Sequence, residues 1–182
     1  MIKQIKLNSF YLIDKLEEHN KVKKNLVNLI NKSDAGSLTA YKQFKDNIHN
    51  VDWNQATNFN RDWVKILKPY LQKQFDNYGK FMGFEKSVIK ELWFQKYKKT
   101  GKHGWHIHGG TFTGVYYLQF TNKCAKTELI DPLSKKVITI NAKEGDVVLF
   151  PSYIIHQAKE QKNSKEKIIV SFNIEYVDVL TK

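Results

Sequence analysis

Hydrophobic residues recur at helical spacing through the first half of the chain. In residues 9–36 they lie three or four positions apart, which predicts a helix that stops near Gly36. Residues 57–84 carry a second such pattern and predict a second helix, in which Pro69 either introduces a kink or marks the start. Residues 2–7 have the character of a short strand. The apolar positions of the two helices are Leu12, Leu16, Val22, Leu26, Val27, Leu29 and Ile30 in the first, and Trp63, Ile66, Leu67, Leu71 and Phe75 in the second.

From about residue 85 the pattern changes to short runs of β-branched and aromatic residues that turn-forming residues separate. These runs predict strands at 87–98, 112–120, 126–132, 136–142, 146–152 and 167–180. Several short strands after a helical half favour an antiparallel sandwich or barrel with helices packed on one face. We therefore predict an α+β fold with a single domain over residues 1–182, in which residues 1–84 are mainly helical and residues 85–182 form the β core.

The composition fits a folded protein of the cell interior. Apolar residues make up 41% of the chain and aromatic residues 13%, and Cys124 is the single cysteine, so no disulfide framework can form. The sequence contains no run of about 18 apolar residues, which a membrane span would need. The first residues lack the apolar core of a signal peptide. The sequence thus predicts a cytoplasmic protein with no membrane partner.

A net charge of +12 permits binding to nucleic acid or other anions. The charge comes from scattered lysines, and Arg61 is the only arginine. Because the basic residues form no cluster, the charge does not favour nucleic acid as the partner.

Three of the six histidines lie within the segment GKHGWHIHGG, at His103, His106 and His108. In an extended segment, residues two apart point to the same side, so the imidazoles of His106 and His108 can converge on one point. His156 follows an apolar strand, 48 residues after His108, and two such segments can be neighbours in an antiparallel barrel. Neutral imidazoles in this arrangement suit a mononuclear Fe, Zn, Cu or Ni ion. A His-x-His pair alone is a weak signal, since histidines flanked by glycines are often loop residues.

Four segments of the second half, WHIHGGTFTGVYYLQF, IDP, GDVVLFPSYIIHQ and EKIIVSFN, together resemble the 2-oxoglutarate/Fe(II)-dependent oxygenase superfamily. The resemblance spans about residues 93–176. It is nearest to the small, prolyl-hydroxylase-like oxygenases of phages and marine bacteria, which carry a His-x-His followed by Ser-Gly-Val-Tyr-Tyr. It implies a double-stranded β-helix, a jelly roll whose one sheet is supported by the N-terminal helices, and it is compatible with a phage-encoded protein in a bacterial cytoplasm.

The resemblance also implies a ligand set. By position, His106 resembles the first histidine of the superfamily's His-x-Asp/Glu…His triad, and His156 resembles the distal one. His108 stands where a carboxylate is expected. Two alternatives stay open: a three-histidine site, and a site that His108 does not ligate. His103 is the spare candidate and is otherwise a loop residue.

Enzymes of this superfamily bind the distal carboxylate of 2-oxoglutarate with a basic side chain, which lies about ten residues after the distal histidine. Lys167 lies eleven residues after His156 and has this position, although arginine is more usual there because its guanidinium is bidentate. Ser171, four residues on, lies on the same strand face, and either Tyr116 or Tyr117 can reach the carboxylate, since neighbours in a strand point to opposite faces. A solvated lysine at a strand start is the structural alternative for Lys167.

The expected activity is that of a dioxygenase. Fe(II) is the expected metal, 2-oxoglutarate and O2 are the expected co-substrates, and succinate and CO2 are the expected products. Trp105 and Asn173 are candidate substrate contacts, with core packing or a turn as their alternative roles. The loops at residues 40–60 and 98–113 are expected to form the entrance. The sequence indicates neither the substrate to be hydroxylated nor an oligomeric state.

Two other functions remain open. The segment GDVVLFPSYIIH resembles a cupin motif except that Tyr153 replaces a glycine, but residues 109–114 lack the glutamate of the first cupin motif. A cupin-like metalloprotein is therefore one alternative. The other is a non-enzymatic binding or virion-associated jelly-roll protein that has lost its iron, which the histidine at position 108 keeps open.

Overall fold

Two antiparallel sheets face each other, and two helices cover the outer face of one of them. The structure is a computed structural model, and it describes residues 8–33, 35–36 and 46–179. The helices are α1 (His19–Lys32) and α2 (Asp62–Met82), and a single 3₁₀ turn lies at Trp53–Gln55. The strands, in chain order, are β1 (Leu12–Lys15), β2 (Asn50–Val51), β3 (Phe84–Tyr97), β4 (His103–His106), β5 (Phe112–Gln119), β6 (Thr127–Ile130), β7 (Val137–Thr139), β8 (Asp146–Pro151), β9 (His156–Ala158) and β10 (Lys167–Val179).

The larger sheet has the strand order β1-β8-β5-β10-β3-β2 and the smaller one β4-β9-β6-β7. All strand pairs are antiparallel. The chain passes back and forth between the sheets in the manner of a jelly roll: β3, β5, β8 and β10 lie in the larger sheet, and β4, β6, β7 and β9, which come between them in sequence, lie in the smaller one. The predicted fold class is therefore confirmed.

The strand β10 shows how the sequence divides the core into two layers. Ile168, Val170 and Phe172 face the helices, while Ile169 and Ser171 face the smaller sheet. This follows from the alternation of side chains along a strand. Both faces of β10 are buried, which explains why its sequence is nearly continuously apolar. The site described below lies in the layer between the sheets.

The N-terminal half differs from the prediction in two respects. The first predicted helix is shorter than expected, because Leu12–Lys15 forms β1, which pairs with Asp146–Leu149 at the edge of the larger sheet. β2 also joins that sheet, so residues 1–84 are not only helical support. The second helix is confirmed as α2, and Pro69 lies inside it and does not mark its start. The strand predicted at residues 2–7 lies outside the described residues.

The six strands predicted after residue 85 are all present, but two short strands were not predicted. These are β4 and β9, which carry histidines and pair with each other at the edge of the smaller sheet. Their apolar content is too low to show strand alternation in the sequence. In the part of the chain that the structure describes, no helix is long and apolar enough to cross a membrane.

Candidate metal centre

Three histidines converge between the two sheets, two from strands of the smaller sheet and one from the loop after β4. His106 is the last residue of β4 and lies opposite His156, the first residue of β9. His108 follows in the loop, where its backbone N–H donates to the Ser152 carbonyl oxygen over 3.2 Å. One side-chain nitrogen from each of the three histidines lies within 4.8 Å of those from the other two. The structure thus brings together the three histidines that the sequence singled out as metal ligands.

The backbone orients two of these imidazoles. The Nδ1 of His106 lies 2.7 Å from the carbonyl oxygen of Gly104, and the Nδ1 of His156 lies 3.0 Å from that of Ile154. A carbonyl oxygen only accepts hydrogen bonds, so Nδ1 of each ring carries the proton and Nε2 keeps its lone pair. Histidine ligands of metals are held in this way, with the second ring nitrogen bonded to a carbonyl or carboxylate.

All the imidazoles of the cluster are uncharged at neutral pH. Burial lowers the pKa of His106 and holds that of His156 well below its ordinary value. Burial, reinforced by the neighbouring His106, also lowers the pKa of His108 to about 4. Because burial disfavours the protonated form of all three rings, a metal ion competes with few protons for them at neutral pH.

A fourth imidazole and a carboxylate lie beside the cluster. The ring of His103 stacks on that of His106 with centroids 3.8 Å apart and an angle of 17° between the planes. The Nε2 of His103 lies 3.5 Å from Oδ2 of Asp46, whose side chain is 7% exposed. Oδ1 of Asp46 accepts a hydrogen bond from the Gly104 backbone N–H over 2.8 Å. His103 is thus a half-buried neighbour of the cluster, and its Nε2 faces a carboxylate instead of the other imidazole nitrogens.

A cavity of about 270 Å³ opens next to the histidines. Its walls are mainly apolar, with aliphatic side chains and the indole rings of Trp53 and Trp93. Trp93 packs against His108 with ring centroids 5.5 Å apart. The remaining lining residues are Asp46, Ile48, Val51, Gln95, His103, His106, Ile107 and His108. The described parts of the two loops expected at the entrance, near residues 46–53 and 103–108, do line this cavity.

Lys167 is buried on the inner face of β10, with 1% of its surface exposed. Its Nζ donates one hydrogen bond, to the Ala125 carbonyl oxygen over 3.0 Å, and lies 4.7 Å from the centroid of the Tyr97 ring. Burial lowers the pKa of this ammonium group to about 8. The structural alternative from the sequence, a solvated lysine at the start of a strand, is therefore wrong.

The two adjacent tyrosines of β5 face opposite layers. Tyr117 points between the sheets, where its hydroxyl donates to Oγ1 of Thr127 over 2.8 Å. Tyr116 points toward the helices, and its hydroxyl lies 2.7 Å from Nδ1 of His19. Tyr116 therefore does not line the site, because strand alternation places it on the other face of the sheet. Ser171 lines a small cavity of about 20 Å³ beside the histidines.

The two residues predicted to contact the substrate do not line the larger cavity. Trp105 is 37% exposed on β4, whereas its neighbour Ile107 lines the cavity. Asn173 lies two residues beyond Ser171 on β10, and its amide nitrogen donates to the Glu91 carboxylate. These contacts assign Asn173 to a pair with the adjacent strand β3.

The sequence reasoning missed three polar residues near the site. Gln95 and Tyr97 lie on the inner face of β3, where the Tyr97 hydroxyl donates to Oε1 of Gln95 over 2.5 Å. The alternation Trp93, Gln95, Tyr97 along a predicted strand could have shown that these side chains share one face. Asp46 gave no such signal, because it is an isolated acidic residue in a polar stretch.

These contacts define a class of protein: a jelly roll with a three-histidine cluster in its interior. The donor set fits a divalent first-row metal ion, since neutral imidazoles on a sheet edge suit Fe(II), and a cavity beside them leaves room for further ligands. Comparisons with known proteins show what the chain resembles. A family model described as "Putative 2OG-Fe(II) oxygenase" matches residues 131–173, which include His156 and Lys167. Fe(II) and 2-oxoglutarate, predicted from the sequence, are the cofactor and co-substrate of that family.

Solved structures of similar fold include 2OG-Fe(II) oxygenases. One is an oxidoreductase of the 2OG-Fe(II) oxygenase family from Burkholderia pseudomallei, with a TM-score of 0.70 and 11% identity over 94% of this chain and 88% of that one. Another is a prolyl-4-hydroxylase from Pseudomonas putida, with a TM-score of 0.65 and 11% identity over 94% and 93% of the two chains.

A third is the viral collagen prolyl hydroxylase of Paramecium Bursaria Chlorella virus-1 in complex with 2OG, with a TM-score of 0.61 and 19% identity over 92% and 97%. At these identities the likeness establishes the fold. A search of curated protein sequences gives no significant match. The resemblance to the 2-oxoglutarate/Fe(II)-dependent oxygenases is confirmed by the family signature and by the fold together.

Proposed function

We propose that the protein is an Fe(II)- and 2-oxoglutarate-dependent dioxygenase that oxidises a C–H bond of its substrate. One observation carries the proposal: the histidine cluster and the buried Lys167 ammonium lie on opposite sheets and both face the layer between them. Bound Fe(II) supplies the chemistry that couples decarboxylation of 2-oxoglutarate to succinate and CO2 with oxidation of the substrate by O2. The roles below are those of the chain's own residues.

In this proposal His106, His108 and His156 hold the metal ion. The hydrogen bonds from Nδ1 to backbone carbonyls fix the ring orientation of His106 and His156 before the ion binds. No comparable bond fixes Nδ1 of His108 among the described residues, so His108 is held by its ring contacts with Trp93 and His156. We therefore expect His108 to contribute less to metal affinity than the other two histidines.

Lys167 is proposed to bind the distal carboxylate of 2-oxoglutarate. A buried ammonium group is costly unless it is paired, and this one has a single hydrogen-bond partner among the described residues although it can donate three. A carboxylate would satisfy the remaining donors. The hydroxyls of Tyr117 and Ser171 lie on the same layer and are the polar groups that we expect to contribute further hydrogen bonds.

The apolar cavity is proposed to receive the part of the substrate that is oxidised. Its walls, which include two indole rings, exclude water from the metal centre and favour an aliphatic or ring-shaped group. The substrate itself is not identified. Prolyl hydroxylation, the activity in the names of two structures of similar fold, is one candidate reaction for such a group.

The length of the co-substrate provides a test. Protein loaded with Mn(II) is titrated calorimetrically with 2-oxoglutarate, glutarate and oxaloacetate. Glutarate keeps both carboxylates but lacks the 2-oxo group that chelates the metal, and oxaloacetate keeps the chelating group but is one methylene shorter. We expect 2-oxoglutarate to bind at least tenfold more tightly than either analogue.

His156→Ala should abolish this preference, and His49→Ala, a change in an exposed histidine outside the cluster, should leave it unchanged. Succinate formation under O2 with Fe(II) then establishes turnover. Equal affinity for glutarate and 2-oxoglutarate, with the metal bound, would contradict the proposed function and favour a cupin-like metalloprotein.

A further inference from the structure

The three proposed metal ligands are neutral imidazoles. None of them offsets the positive charge of the metal ion. In the oxygenases that this chain resembles, a carboxylate occupies the position of His108. Burial of a divalent charge is costly unless negative charge lies nearby. The question is therefore which group in the described residues supplies that negative charge.

Among the described residues, Asp46 is the acidic residue that lines the cavity beside the cluster. Its side chain is 7% exposed, it lines the cavity together with His106 and His108, and its Oδ2 lies 3.5 Å from Nε2 of His103. His103 in turn stacks directly on His106 at a centroid distance of 3.8 Å. The Asp46 carboxylate thus reaches the metal ligands through one intervening imidazole ring.

The Asp46 carboxylate is placed to act on a cation at the proposed ligands. It lines the same cavity as His106 and His108 and is separated from His106 by the single ring of His103. Any positive charge placed on the Nε2 side of His106 is stabilised by the field of this carboxylate. A metal ion is such a charge, and the low polarity of the surrounding walls preserves the interaction.

We propose that Asp46, linked through His103, is the residue that compensates the charge of the metal ion and replaces the missing carboxylate of the ligand set. Asp46 does not bind the ion in this proposal, so it is a positioning and charge-compensating residue. The inference rests on the proposed metal site but not on the chemistry with 2-oxoglutarate.

Asp46 also has a structural contact, the hydrogen bond from the Gly104 N–H at the start of β4. A purely structural role would therefore also weaken the metal site when Asp46 is changed. The two roles differ in their effect on anions. Loss of a compensating charge weakens binding of the cation but strengthens binding of an anion to the metal-loaded site, whereas loss of structure weakens both.

The experiment uses Co(II) as the metal probe and azide as the anion probe, both followed by visible absorption. The variant is Asp46→Asn, which can still accept the Gly104 N–H through its side-chain oxygen. We expect the affinity for Co(II) to fall by about 10- to 100-fold, the range for changes next to metal ligands. We expect the affinity of the Co(II)-loaded protein for azide to rise severalfold.

Two further variants complete the design. Asp178→Asn makes the same chemical change at an exposed residue at the far end of β10 and should alter neither affinity. His103→Phe keeps the ring stack and the carboxylate but removes the polar link between them, and should reduce Co(II) affinity less than Asp46→Asn does. If Asp46→Asn fails to fold by circular dichroism, Asp46→Ser takes its place, with the same results expected for Co(II) and for azide.

The inference is overturned if Asp46→Asn lowers the affinity for both probes, or if it changes neither. It is also overturned if His103→Phe loses more Co(II) affinity than Asp46→Asn. If the unaltered protein binds no Co(II), the proposed metal site itself is wrong, which separates failure of the proposed function from failure of this inference.

Discussion

Replacing Lys167 with methionine should make the protein more stable and, at the same time, unable to bind 2-oxoglutarate tightly. Methionine has a similar length and no charge, so it can fill the same space between the sheets. Stability and binding are expected to change in opposite directions because the ammonium group is buried with a single hydrogen bond to a backbone carbonyl. If the proposed function is correct, the ammonium group serves to bind 2-oxoglutarate and does not stabilise the fold.

The magnitude follows from the pKa of the ammonium group. Burial lowers the pKa of Lys167 from the usual 10.5 to about 8. This difference corresponds to about 3 kcal/mol of unfavourable free energy at pH 7, at about 1.4 kcal/mol for each tenfold change in proton affinity. The Lys167→Met variant should therefore gain up to about 3 kcal/mol in the free energy of unfolding in the absence of ligand.

The change of stability with pH shows the sign of the contribution that Lys167 makes to the free energy of unfolding. Between pH 8 and 10.5 the unfolded chain holds a proton on Lys167 that the folded chain has lost, so the stability contributed by this residue rises with pH across that window. Above pH 10.5 the lysine is uncharged in both states, so burial of the ammonium group no longer costs stability. The advantage of Lys167→Met over the unaltered protein should hence be largest below pH 8 and shrink toward pH 10.5.

Urea denaturation at several pH values measures the stability, and calorimetric titration of Mn(II)-loaded protein measures the affinity for 2-oxoglutarate. Loss of a charge-assisted hydrogen bond, worth about 1.5–3 kcal/mol, should reduce that affinity by roughly 10- to 150-fold. Lys90→Met, at a half-exposed position on the same larger sheet, is the matched control and should change stability by less than about 0.5 kcal/mol. The reasoning is refuted if Lys167→Met destabilises the protein like a core deletion and still binds 2-oxoglutarate as the unaltered protein does.

Three further predictions concern the fold. Burial lowers the pKa of His19, so protonation below about pH 6.5 should cost stability. In urea denaturation, the His19→Gln variant should lose less stability between pH 7 and 5 than the unaltered protein, and an equal loss would contradict this. A Cβ at Gly114 would lie 1.9 Å from the Val148 carbonyl oxygen, so Gly114→Ala should cost about 3 kcal/mol, whereas Gly109→Ala, with open space around it, should be neutral by thermal unfolding. The Asp52 carboxylate is 3% exposed and accepts hydrogen bonds from three groups, so Asp52→Ala should cost about 3–5 kcal/mol, and a loss under 1 kcal/mol would be inconsistent with the network.

Much of the β core could be predicted from the sequence because its strands are runs of β-branched and aromatic residues that turn-forming residues separate. The strand β10 is the clearest case, since burial on both faces gives a nearly continuous apolar run. β1 was predicted as part of a helix because its apolar residues also fit helical spacing. Its pairing with β8 decides its conformation, and that contact is not visible in local sequence.

The candidate site was predictable in part for a similar reason. His106 and His156 were recognised by their order and spacing relative to strands, and the structure places them opposite each other. The choice between Tyr116 and Tyr117 depended on the face of β5, which alternation alone leaves open. Asp46 could not be found, because it comes from a distant segment and reaches the cluster only through tertiary contact with His103.

The most direct test of the account is an anaerobic titration of Fe(II)-loaded protein with 2-oxoglutarate, followed by the visible absorption band that a chelated 2-oxo acid gives with Fe(II). We predict that the band appears in the unaltered protein and in His49→Ala, and that it is lost in His106→Ala and His156→Ala. The same titration of His108→Ala decides whether the centre has three histidine ligands or two. An absent band in protein that demonstrably holds Fe(II) would contradict the account and leave the histidine cluster as a metal site with another function.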